Sequence, residues 1–325
     1  MDNRLIHEQL DEALSAILAG RESSAGQAEP SIAPLLALAR DLRELPPEDF
    51  RTRLKAELQR RATMGTPAVK PVREGFHSIT PYLIVPGASK LIDFMKKAFD
   101  ATERFRVQRP GSEQIMHAEV KIEDCIIELA DATPEFPALP AAIHLYVRDV
   151  DSVHASAVGG GGIEKQPPTD QEYGERSSFV EDAFGNHWYI ATRLGTEPVP
   201  TELRAVTAYL HTIGATRMVD FLKEAFGAEE VERTAAPDGT ILHAKIRIGD
   251  SIIELGEAHG EYKAMPFTLH LYVNDTDTIY ARALRAGATS LREPQDEPYG
   301  DRNSGVQDPF GNRWFIATHI KDVHP

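Results

Sequence analysis

The sequence predicts an α+β protein made of two tandem, mutually similar units in which strands outnumber helices, preceded by a short all-α N-terminal segment. Three observations carry that prediction. The chain repeats itself: 93–105, DFMKKAFDATERF, matches 220–232, DFLKEAFGAEEVE, and 117–131, HAEVKIEDCIIELAD, matches 243–257, HAKIRIGDSIIELGE. Within each copy the apolar period changes from about two to about 3.6 and back, the signature of strands alternating with helices. Residues 1–61 show only the helical period, with Leu5, Ile6, Leu10, Ala13, Leu14, Ile17 and Leu18 on one face.

In chain order, 1–61 reads as a helical segment whose later helices cover 32–45 and 48–61, the last opening at Pro46-Pro47. Residues 62–75, rich in Pro, Gly and small side chains, read as a linker. Unit one, 76–194, opens with a strand at 80–85 and a helix at 89–99. Strands at 115–122 and 125–130 follow around the turn Glu123-Asp124. The order then restarts, with a strand at 143–147, a helix at 149–158, a glycine-rich turn at 159–162, and strands near 178–180 and at 187–192. Unit two, 203–320, repeats the plan: IHLYVRDVD at 143–151 returns as LHLYVNDTD at 269–277, and YGERSSFVEDAFGNHWYIAT at 173–192 as YGDRNSGVQDPFGNRWFIAT at 299–318.

Composition narrows the function. Fifty acidic against thirty-five basic residues give a net charge of −15, opposed to the phosphate neutralisation on which nucleic-acid binding rests and to attraction by anionic membranes. The excess lies in the two units, since residues 1–70 are nearly neutral. Neither nucleic acid nor membrane is an expected partner. One cysteine, Cys125, excludes an intrachain disulfide framework and any multi-cysteine metal site. With no signal-like start and no long apolar run, a cytoplasmic location is expected.

The set formed by the Pro-Tyr-Leu strand, the DFMKKAF helix, HAE/HAK followed by IIEL, HLYV-x-D-x-D, YG-D/E-R and D-P/A-FG-N-x-W resembles the vicinal oxygen chelate superfamily. Within it, the set is most similar to the PhnB-like branch of the glyoxalase/bleomycin-resistance group. The resemblance covers both units and not the N-terminal 70 residues. It implies paired βαβββ modules curled into an open cup, each unit supplying two modules and one cup, so that the tandem is self-sufficient as a monomer. It also implies a divalent metal, where present, held by His and Glu. The positions that correspond to the family's ligands are Thr80 and Thr207, Glu128 and Glu254, Ala142 and Thr268, and Tyr189 and Phe315. Only the glutamates match by type, and one carboxylate does not make a zinc or iron site. No cofactor is therefore expected by the standard pattern. Because the same fold serves lyases, isomerases, dioxygenases and drug-binding proteins, it does not name a reaction.

Strand alternation then predicts what lines the cups. Tyr82, His117, Glu128, His144 and Tyr146 take the cup face in unit one, and Tyr209, His211, His243, Glu254, His270 and Tyr272 in unit two, with Tyr189 and Phe315 beside them. The set His117, Glu128, His144 recurs as His243, Glu254, His270 at the same spacings. Three readings are open: histidines hydrogen-bonded within the sheet, polar groups that meet a ligand or act as acid and base, or a displaced divalent-metal site. Arg176 and Arg302 either reach an anionic group or hold a turn through a carboxylate. Trp188, Trp314 and Cys125 fall on the helix-facing side as core residues. The expected function is the binding of a small organic molecule in aromatic cups without the standard metal site. The alternatives are a lyase, isomerase or dioxygenase using His/Glu/His, and a ligand-sensing adaptor whose N-terminal helices bind a protein partner.

Overall fold

The computed structural model describes residues 69–195, 204–260 and 262–323. The helical segment expected over 1–61 lies outside the described residues. Four βαβββ modules follow one another. The first has β1 (Ile79–Val85), α1 (Ala88–Phe99), β2 (Thr102–Gln108), β3 (Ile115–Ile122) and β4 (Cys125–Asp131). The second has β5 (Ala142–Tyr146), α2 (Val150–Gly159), β6 (Ile163–Asp170), β7 (Glu175–Glu181) and β8 (His187–Arg193). The third has β9 (Val206–Thr212), α3 (Ala215–Phe226), β10 (Glu229–Ala235), β11 (Ile241–Ile248) and β12 (Ser251–Glu257). The fourth has β13 (Thr268–Tyr272), α4 (Thr276–Arg285), β14 (Thr289–Asp296), β15 (Asp301–Gln307) and β16 (Arg313–His319).

Among the described residues, sixteen strands form two eight-stranded sheets, ordered β14-β15-β16-β13-β1-β4-β3-β2 and β10-β11-β12-β9-β5-β8-β7-β6. Each sheet joins one module from each repeat. β1 meets β13 antiparallel, with Thr80 opposite His270, and β5 meets β9, with His144 opposite Thr207. The expectation that one repeat builds one cup is thus corrected: module one pairs with module four, and module two with module three. The helices supply the physical reason. Helix α1 packs against α2 and α3 against α4, and Phe99 of α1 lies 4.6 Å from the Trp188 ring of β8, as Phe226 of α3 lies 4.7 Å from Trp314 of β16. The two modules of one repeat therefore meet through their helical backs in the core between the sheets. They cannot also lie edge to edge in one sheet.

The sequence motifs hold this frame. Helix α1 buries Leu91, Ile92, Phe94, Met95, Ala98 and Phe99, the stripe its period predicts. Its first amides, Gly87 and Ala88, donate to Asp131 Oδ1 at 2.7 and 3.0 Å, and Glu257 does the same for Gly214 and Ala215 of α3. In D-x-FG-N-x-W, Asp182 accepts from the Phe184 and Asn186 amides, Asn186 Nδ2 and Trp188 Nε1, and Asp308 repeats the set. That motif ties a turn to the core. The strands least visible in the sequence, β2, β6, β10 and β14, are the sheet edges. Their solvent-facing side chains erase the alternation, and β6 accommodates Pro167-Pro168 where a missing N–H is harmless.

Candidate functional site

Cup one lies on the face of the first sheet turned away from the helices. Register sets its floor: Tyr82 of β1 stands opposite Glu128 of β4, and His270 of β13 opposite Phe315 of β16. His270 Nδ1 donates to Glu128 Oε2 at 2.8 Å, and His117 Nε2 stands 3.9 Å from Glu128 Oε1. The Tyr82 hydroxyl and His117 Nδ1 share a hydrogen bond of 3.2 Å, and the Tyr82 ring meets Phe315 edge-on at 5.7 Å. Tyr272 donates its hydroxyl to Asp301 Oδ2 at 2.9 Å, and His319 Nδ1 donates to Asp301 Oδ1 at 2.7 Å.

Cup two is built the same way from the other sheet. His144 Nδ1 donates to Glu254 Oε2 at 2.6 Å, Tyr146 donates to Glu254 Oε1 at 3.1 Å, and His243 Nε2 is 3.9 Å from that oxygen. Tyr189 and His211 share a hydrogen bond of 2.9 Å, and Tyr189 packs on Tyr209 at 5.6 Å. The residues that alternation turns to one face meet there, and the cross-paired topology regroups them. His117 and Glu128 sit with His270, and His243 and Glu254 with His144. The within-repeat triads His117/Glu128/His144 and His243/Glu254/His270 are not assembled, because their last members belong to different sheets.

Burial strips solvent from each His–Glu pair, so the pair settles its charges internally. Desolvation pushes His144 and His270 down, but the adjoining carboxylates outweigh it and both imidazoles are raised above their ordinary range. Glu254, fully buried, is likewise raised by burial, but His144 and then His243 carry it well below the usual carboxylate range. Both imidazoles are thus biased toward the protonated form, and Glu254 toward its carboxylate. His211 behaves oppositely: burial, then His187 and His259, push it down to about 4, and it sits neutral against Tyr189. Burial, then Glu128 and Tyr299, raise the Tyr82 hydroxyl, so it remains a phenol.

The family's metal positions fall together as Thr80, Glu128, Thr268 and Phe315 in cup one, and as Thr207, Glu254, Ala142 and Tyr189 in cup two. In each set the single carboxylate is already engaged by an imidazolium nitrogen. This donor set does not fit a divalent ion. Among the described residues, the three side chains grouped closely enough to share an ion are His77, Asp124 and Cys125, at the junction of the sheets. There Arg204 already lies 3.3 Å from Asp124 and 3.2 Å from Asp250, and burial pushes the Cys125 thiol up to about 12.

Arg176 and Arg302 are outside the cups, which settles their alternatives. Arg176 binds both oxygens of Asp151 on α2 at 2.7 Å and Asp170 at 2.8 Å; Arg302 does the same with Asp277 and Asp296. The YG-x-R arginine and the second aspartate of V-x-D-x-D are partners that tie strand to helix. Sequence reasoning missed the acidic residue just before each arginine, Glu175 and Asp301, which alternation turns toward the cup. It also missed Tyr173 and Tyr299, 71% and 49% exposed, although their repetition in both YG motifs was a signal. Phe136, 5.8 Å from Phe315, and Tyr262, stacked on His211 at 5.7 Å, come from connecting segments without periodicity. Arg73 and Phe76 lie in and just after the expected linker. Arg73 pairs with Glu119 at 2.9 Å, and Phe76 packs on Tyr272 at 5.6 Å.

The fold has known counterparts. Glyoxalase I from Zea mays superposes with a TM-score of 0.58 at 16% identity, over 74% of this chain and 92% of that one. A Bacillus subtilis crystal structure does so with 0.51 at 15%, over 78% and 87%. Uncharacterized proteins of Mycobacterium bovis and Mycobacterium tuberculosis are 34% identical over 131 residues, which is 37% of this chain and 86% and 77% of theirs. Residues 75–190 and 212–316, more than half of the chain, match one family description. The chain belongs to the Glyoxalase/Bleomycin resistance protein/Dioxygenase superfamily.

Proposed function

We propose that the protein binds small organic molecules in its two aromatic cups, using a side-chain imidazolium where the family's fold accommodates a metal. One observation carries the reading: at the floor of each cup the only carboxylate in a family ligand position is held by a histidine from the adjoining module, at 2.8 Å in cup one and 2.6 Å in cup two. Around that pair stand Tyr82, Phe315, Phe136 and Tyr272, or Tyr146, Tyr189, Tyr209 and Tyr262. Apolar walls with a few fixed polar groups are what ligand burial requires. One chain supplies both halves of each cup, which supports action as a monomer. The motif set favours a PhnB-like, bleomycin-resistance-like binder working in the cytoplasm, with a protein partner recruited through residues 1–61.

A thermal-shift panel of antibiotics, bleomycin among them, and aromatic metabolites tests this. At least one compound is expected to raise Tm, as any ligand that binds only the folded state must. Failure of every compound on protein with an intact circular dichroism spectrum overturns it.

A further inference from the structure

The two His–Glu pairs differ in what faces the second ring nitrogen, and that difference carries an inference resting on the ligand-binding reading above. In cup two, His144 Nε2 looks toward the Glu175 carboxylate at 3.9 Å. In cup one the equivalent residue is Asp301, one methylene shorter and engaged by Tyr272 and His319. His270 Nε2 is left buried with no hydrogen-bond partner, in a residue only 6% exposed. A buried donor without an acceptor is costly, and here it belongs to a ring whose other nitrogen is fixed by Glu128.

We propose that cup one is a site for a planar organic carboxylate, whose oxygen accepts from His270 Nε2–H while its body lies among Tyr82, Phe315 and Phe136, and that cup two is not. The charged groups that act on His270 are Glu128, Asp301 and Arg73. Glu128 and Asp301 already hold hydrogen bonds from His270 and from Tyr272 and His319. Arg73, whose side chain is 35% exposed, pairs with the buried Glu119 at 2.9 Å, so that carboxylate is compensated and does not stand as a free negative charge. In cup two Glu175 faces the corresponding nitrogen and repels an anion. A carboxylate completes His270 with a charge-assisted bond, the stronger kind.

The test uses the full chain, with imidazole rings labelled with 15N, titrated with benzoate and 2-naphthoate and with benzamide and 2-naphthamide as uncharged matches. Expected is one carboxylate bound per chain, a shift of the His270 Nε2 resonance, and weak or no binding of the amides. His270→Asn keeps a donor toward Glu128 through its side-chain amide but removes Nε2. It should weaken carboxylate binding by about tenfold or more, whereas His144→Asn should leave it unchanged. Binding that ignores charge, or survives His270→Asn, overturns the proposal and leaves the cups as neutral-ligand sites. If none of the four compounds binds, the carboxylate proposal fails; the ligand reading then stands or falls on the wider thermal-shift panel.

Discussion

The two cups share a plan and differ in a few side chains, and the differences occur in sets. Tyr82, His117, Glu128, His270 and Tyr272 of cup one correspond to Tyr209, His243, Glu254, His144 and Tyr146 of cup two. Against that constant frame, the Tyr189–His211 hydrogen bond of cup two, 2.9 Å long, is replaced in cup one by Phe315 and Ile84, neither of which carries a polar group. Both members change together, because either alone would strand a buried donor or acceptor. In the same way Glu175 with Arg193 becomes Asp301 with His319. The shorter carboxylate draws Tyr272 away from the central glutamate, whereas Tyr146 stays on it. A difference of one methylene thus decides how many donors the central carboxylate must serve.

The largest test of this comparison removes that carboxylate. Glu254 is fully buried and accepts from both His144 and Tyr146. Glu254→Ala should cost about 3–5 kcal/mol, since an imidazolium stays buried without its partner. Glu128→Ala should cost about 1 kcal/mol less, because Tyr272 keeps its own acceptor. Denaturant midpoints of the two variants measure the gap, and equal losses would break the comparison.

Acid separates the cups next. His211 has a folded value of about 4 against an ordinary value of roughly 6.5. Its contribution is complete above the unfolded value and is lost as pH falls from about 6.5 toward 4, on the order of 3 kcal/mol in all. His144 and His270 are raised, so theirs is fully present below about 6.5 and is lost only as pH rises through their folded values. Between pH 6.5 and 4 those two therefore add no slope, and the acid sensitivity of cup two comes from His211 together with His187, which burial also pushes down. His211→Ile with Tyr189→Phe, which copies cup one into cup two, should flatten Tm against pH over that window. An unchanged slope would remove His211 from the account.

What the sequence made legible follows from which interactions are local. Strand parity is a property of consecutive residues, so Tyr82, His117, Glu128 and their counterparts could be assigned to the cup face from the period alone. Module pairing is not local. Because modules one and three are near copies, β1 is as good a sequence match for β9's position beside β5 as β9 is, and packing between distant elements, such as Phe99 on Trp188 and Phe226 on Trp314, accompanies the crossed arrangement. The same limit hid the partner of Arg176: Asp151 is 25 residues away on another element. Phe136 and Tyr262 were invisible because they sit in connecting segments, where no period marks a direction.

A double-mutant cycle probes the methylene difference at finer scale. Tyr146→Phe and Glu254→Gln should couple by about 1 kcal/mol, because their side chains share a hydrogen bond of 3.1 Å. The matching pair Tyr272→Phe and Glu128→Gln should couple weakly, since Tyr272 spends its proton on Asp301. Urea melts of the seven proteins, wild type included, read both cycles, and similar couplings would mean that Tyr272 reaches Glu128 in solution.

The smallest effect lies away from the cups, where the repeats differ at one backbone position. Helices α1 and α3 both end on a left-handed residue, Asp100 with φ 53° in the first repeat and Gly227 with φ 69° in the second. Both close the helix by donating a backbone N–H, to Met95 O from Asp100 and to Leu222 O and Lys223 O from Gly227. A Cβ on Gly227 would meet only the Arg282 guanidinium at 3.6 Å, an ordinary contact, so any cost of Gly227→Asp is conformational. A side chain in this region costs about 1–2 kcal/mol for most residues and less for Asp. Glycine gives back part of that through its looser unfolded chain. Asp100→Gly should therefore stabilise, and Gly227→Asp destabilise, by less than about 1 kcal/mol each. Thermal melts of the two variants should move in opposite directions by similar amounts, and a large loss in Gly227→Asp would mean that the turn after α3 depends on more than its dihedral.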